Sequence, residues 1–140
     1  MSRFAFAQFC DDVRFEVGEK ISLMGIYGSD VFLPRFPATL SKFCFVAYCG
    51  TPFDSPIEKL EIEVVVNGER IFFLDFPQQI LDEIGSRKND VEDPLTIRTY
   101  GANSIIENLS LEKESIVRLN FIADGVKLPA ARVHVKQIGT

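Results

Sequence analysis

Apolar and polar residues alternate along most of the chain with a period of two, the pattern of strands that bury one face. The clearest run is Leu60-Glu61-Ile62-Glu63-Val64-Val65-Val66, which places Leu60, Ile62, Val64 and Val66 on one face and two glutamates on the other. Asn67-Gly68 follows, a pair that tolerates positive φ at both centres of a type I′ turn, and the chain returns through Ile71-Phe72-Phe73-Leu74. A hairpin is predicted there. A second is predicted at Asp124-Gly125, between Ile116–Ala123 and Val126–Ile138; Val117, Leu119 and Phe121 face in from the first arm, Val133 and Val135 from the second. Further strands are expected over Phe4–Cys10, Ile21–Tyr27, Phe43–Cys49 and Leu95–Tyr100, with Val13–Val17 pairing back across Gly18-Glu19.

One segment has helical spacing instead. Between Phe76 and Gly85, Pro77 suits a first turn, Ile80, Leu81 and Ile84 share a face, and Gly85 suits a C-terminus. Ser86 to Pro94 is polar and without periodicity, and is expected to be a mobile loop. Eight or nine short strands with one short helix near residues 77–84 predict an all-β fold: an antiparallel β-sandwich with Greek-key connections, Ig-like or C2-like. A closed barrel is the alternative. With 140 residues and 46% hydrophobic composition, the chain is expected to form one domain over residues 1–140.

Charge narrows the partners. The net charge is -5, and both halves of the chain are acidic, with 7 basic and 10 acidic residues up to position 70 and 8 and 10 beyond it. No nucleic-acid surface is expected. No apolar run reaches membrane-spanning length, so no membrane partner is expected, and Met1 to Cys10 lacks the pattern of a signal peptide. The three cysteines are therefore read as reduced core residues of a cytoplasmic protein. Cys44 and Cys49 lie five apart in an expected strand, on opposite faces, and cannot pair with each other. Asn108-Leu109-Ser110 has the glycosylation spacing, which means nothing without secretion.

Catalytic chemistry is hard to place. His134 is the only histidine, and it falls on the Arg132, His134, Lys136 side of the last strand, an ordinary solvated position. No nucleophile elbow, phosphate-binding loop, dinucleotide fingerprint or redox Cys-x-x-Cys occurs, and zinc lacks four ligands. The chain is read as no enzyme, with no cofactor. Asp11, Asp12, Asp30 and Asp54 are candidate metal ligands, should loops gather them at one end of a sandwich into an oxygen-rich calcium site; none has the spacing of a calcium loop, and the preferred reading is that they cap turns and solvate strand ends, with no metal.

Twelve of the 13 phenylalanines precede residue 77, so the first half is expected to supply the bulky core. The exceptions are expected in Val31-Phe32-Leu33-Pro34-Arg35-Phe36-Pro37, where two prolines hinder regular pairing. Phe32, Leu33, Arg35 and Phe36 are candidates for a protein contact, against the alternative that the loop plugs one end of the sandwich.

The run from Cys10-Asp11-Asp12-Val13-Arg14 through Lys20-Ile21-Ser22-Leu23-Met24-Gly25-Ile26-Tyr27, with Pro34-Arg35-Phe36-Pro37 and Thr51-Pro52-Phe53-Asp54 after it, resembles a family of small bacterial and phage proteins of unknown function. The resemblance covers about the first 60 residues and implies no reaction, cofactor or partner. It does add one reading, a phage or virion accessory structural component. The expected function is a noncatalytic β-sandwich module that binds an unknown protein partner or itself as a homodimer, with a calcium- or lipid-binding C2-like domain as a further alternative.

Overall fold

In the computed structural model, which describes residues 2–139, 64% of the chain is strand and 7% helix. The strands are β1 (Phe4–Glu16), β2 (Lys20–Ile26), β3 (Asp30–Leu33), β4 (Ala38–Pro52), β5 (Leu60–Val66), β6 (Glu69–Asp75), β7 (Ile97–Leu111), β8 (Ser115–Ala123) and β9 (Val126–Gln137); the helix α1 (Gln78–Ser86) precedes β7. They form two sheets. Sheet A has the order β2-β1-β4-β7 and sheet B the order β3-β9-β8-β5-β6. The fold is a β-sandwich.

Turn chemistry sets the hairpins. Asn67 and Gly68 have φ of 49° and 86°, Asp124 and Gly125 of 48° and 82°, and each pair links strands whose flanking residues are in direct register, Val66 with Glu69 and Ala123 with Val126. Between β1 and β2 the turn is one residue longer: Glu16 pairs with Lys20, and Gly18 and Glu19, at φ of 86° and 59°, reverse the chain after Val17. Between the sheets lies a core in which Phe9, Phe43, Phe45, Tyr100 and Phe121 are almost wholly buried beside Leu60, Ile62, Leu119 and Val135. Tyr100 keeps its hydroxyl satisfied there by accepting the Ile57 amide at 3.1 Å. In α1, Leu81 is buried, and Arg98 ties its end to the sandwich, donating to the carbonyls of Ile84, Arg87 and Phe53 while lying 3.6 Å from the Phe53 ring centre.

Several elements differ from the expectation. Phe4–Cys10 and Val13–Val17 are one strand, because β1 pairs with β4 as far as Cys10 and with β2 from Cys10 onward, so Asp11-Asp12 marks a change of partner rather than a break. β7 continues to Leu111 instead of stopping at Tyr100. Residues 101–111 are rich in Gly, Asn and Ser, and what makes them a strand is a register with β4 that runs from Ile97–Pro52 to Leu111–Ala38. Val31-Phe32-Leu33, expected to be unpaired, is strand β3, and it runs parallel to β9, an exception in an otherwise antiparallel structure. The two prolines lie just after it, so they end the strand without removing a ladder donor from it. The polar loop after α1 carries local hydrogen bonds from its own side chains: the Asn89 amide both donates to and accepts from the backbone of Leu95, and Asp90 accepts the amides of Glu92 and Asp93.

Candidate functional site

The expected contact loop divides. Phe32 is 58% exposed on the outer face of sheet B, and Arg35 is exposed, but Leu33 and Phe36 pack against the main core. Phe36 and Leu33 therefore belong with the core, and the four residues do not form one surface. The aspartates are also dispersed. Asp11 accepts the Tyr27 hydroxyl, Asp12 accepts Lys42 at 3.3 Å, and Asp30, in the other sheet, accepts Lys136 at 3.3 Å. Asp54 is exposed in the β4–β5 connection. Among the described residues no three His, Cys, Asp or Glu side chains are gathered as metal ligands, so a calcium site built from these four is not formed. His134 lies opposite Ile116 on the outer side of sheet B.

The outer face of sheet A presents a surface that the sequence reading did not single out. Register places residues side by side across the strands: Phe4 with Gly50 and Thr99, Phe6 with Tyr48 and Gly101, Gln8 with Val46 and Asn103, and Ile26 with Cys10, Cys44 and Ile105. No charged side chain occurs in these rows. Phe6 is 49% exposed and stacks on Tyr48 with ring centres 5.2 Å apart, while Phe4 is 41% and Ile26 52% exposed. The phenylalanine ring of Phe4 occupies the space a Cβ on Gly50 would need, and Tyr48 closely approaches Gly101, so the two glycines let these rings lie over the sheet. Charges begin at the next row, where Lys42 pairs with Asp12.

Beneath one end of this face lies a second, smaller apolar cluster. Cys10, Val13, Cys44 and Val46 are buried together, with Ile21, Leu23 and Tyr48 packed on them, so the far half of the β1–β2 hairpin covers the outside of its own sheet. Cys10 and Cys44 are direct partners across β1 and β4, and both are free thiols, as is Cys49 in the main core. Burial, with the neighbouring sulfur, pushes the Cys10 thiol up to about 11; burial also raises Cys44. Burial and the hydrogen bond to Asp11 likewise raise Tyr27, which stays a neutral donor. These are not activated nucleophiles. Only the β1–β4 register, which no local pattern encodes, reveals that these two cysteines meet.

In comparisons with known proteins, no family model matches the chain and no curated protein matches it. No described helix is long and apolar enough to cross a membrane.

Proposed function

We propose that the protein is a noncatalytic β-sandwich module that associates with a second copy of itself through the outer face of sheet A. The observation that carries this reading is the uncharged apolar surface of Phe4, Phe6, Tyr48, Ile26 and Ile105, framed by a charged row. On a chain of net charge -5, a surface without charges is where two copies meet with least repulsion. Three strands at the usual spacing and four alternate residues along them give a planar footprint of about 300 Å². That is the size of a functional patch on a monomer, below the roughly 800 Å² per partner of a stable complex, so the dimer is weak and concentration-dependent.

Sedimentation from micromolar to millimolar concentration tests this. The wild type is expected to move from monomer to dimer, Phe6→Asp to stay a folded monomer, and Phe32→Asp, on the other sheet, to behave like wild type. A wild type that is monomeric throughout, or a dimer dissociated by Phe32→Asp and not by Phe6→Asp, overturns the assignment.

A further inference from the structure

The outer face of sheet B carries a different chemistry. A basin of about 460 Å³ opens between β5, β6, β8 and β9, bordered by Glu63, Val65, Arg70, Arg118, Asn120 and Lys127. Two register shifts lie in its walls, one between Val64 and Val65 and one between Leu119 and Asn120, irregularities of the kind that bend a strand. At one wall Glu63 is fully engaged. One carboxylate oxygen accepts Arg70 Nε at 3.1 Å and Nη2 at 2.8 Å; the other accepts the Asn120 amide at 2.9 Å and lies 3.2 Å from Lys127 Nζ.

Arg118 has no such partner. Its neighbour on β5 is Val65, and its neighbour on β9 is Arg132, directly opposite. Like charges facing each other across a ladder destabilise it, and neither arginine has an ion pair or side-chain hydrogen bond among the described residues. Two acids on neighbouring strands are already engaged: Glu63 by Arg70 and Lys127, and Asp30 by Lys136.

We propose that Arg118 and Arg132 clamp a phosphate group at the mouth of this basin. Two guanidinium forks about 5 Å apart at their Cβ atoms present donors to the several oxygens of one tetrahedral anion. A phosphate dianion neutralises both charges, whereas a single carboxylate leaves one unmatched. The acidic chain as a whole repels a polyanion, so the ligand is a compact group rather than a nucleic acid.

The probe is inorganic phosphate, titrated against chloride at matched ionic strength so that general screening cancels. Wild-type amide resonances of β8 and β9 are expected to shift saturably and the melting temperature to rise. In Arg118→Gln and Arg132→Gln, the affinity is expected to fall at least tenfold. Without phosphate each variant is expected to melt no lower than wild type, because the facing charge has gone; this separates loss of the clamp from loss of the fold. Lys113→Gln, away from the basin, is expected to bind as wild type does. Absence of a saturable wild-type shift, or equal shifts in the arginine variants, overturns the clamp. In a second arm, sedimentation with phosphatidic acid vesicles that free phosphate reverses assigns the group to a lipid headgroup; phosphate binding without vesicle binding assigns it to a soluble ligand.

Discussion

Glu63 shows how much one side chain's neighbours decide. In the alternating run of β5 it belongs to the polar face, yet it is only 4% exposed, because Arg70 and Lys127 close over it and Asn120 reaches it from β8. Burial alone would raise its carboxyl pKa; the hydrogen bonds from Asn120, Arg70 and Lys127 and the Lys127 charge more than reverse this and hold it below the ordinary value. A carboxyl depressed by folding contributes stability above its unfolded pKa, and that stability is lost as pH falls through the folded one. Glu63→Gln is therefore expected to lower stability by about 1–2 kcal/mol near neutral pH, with a difference from wild type that shrinks on acidification in urea titrations at several pH values. For the thiols the sign is opposite. Cys10 and Cys49 are both raised to about 11, chiefly by burial, so their contribution is complete below the ordinary thiol pKa and is lost as pH rises toward 11. Near pH 8 a thiol reagent is expected to leave all three cysteines of the folded protein essentially unmodified and to react with three in denaturant; rapid reaction of any one in the native state contradicts their placement.

Among the elements, the β1–β2 hairpin depends on Gly25. It has φ of 65°, and a Cβ built there would strike the Asp11 carboxylate that receives the Tyr27 hydroxyl. At Gly68 φ is also positive, but the surrounding space is open. Gly68→Ala is thus expected to cost about 1 kcal/mol and Gly25→Ala about 2–3 kcal/mol. Pairing Gly25→Ala with Asp11→Ala should recover the part of the cost due to the carboxylate, since only the close Cβ contact is left, and a double-mutant cycle in urea measures it. Elements with their own turn chemistry and alternation, such as the β5–β6 and β8–β9 hairpins and α1, were legible in the sequence. Those defined by a distant partner were not. β3 has four residues and needs β9, and the second half of β7 has poor strand propensity and needs β4. The candidate surfaces follow the same division. Phe32 was legible as an exposed aromatic beside prolines, whereas Phe36 next to it turned out to pack on the core, and exposed Phe4 and Phe6 resembled core residues because alternation does not say which face of a strand is inner. Arg118 and Arg132 are 14 positions apart in sequence and face each other only through the register of β8 on β9.

For the whole molecule, the order of strands within the sheets differs sharply from their order along the chain. All of sheet A is encoded by residue 111, but the centre of sheet B consists of β8 and β9, with the earlier β5–β6 hairpin on one side and β3 on the other. A chain ending at Glu114 would therefore contain all four strands of sheet A and no continuous second sheet to cover it. Such a fragment is expected to bind a hydrophobic dye strongly and to lack a cooperative urea transition, in contrast to the full chain. The parallel pairing of β3 with β9 extends this dependence over more than a hundred residues, from Asp30 to His134. Contacts of such long sequence separation slow folding, since much of the chain must close before they form. During synthesis, then, the inner face of sheet A and its row of phenylalanines stay open to solvent and to chaperones until the last strand has emerged, and β3 waits longest of all for the partner that fixes it.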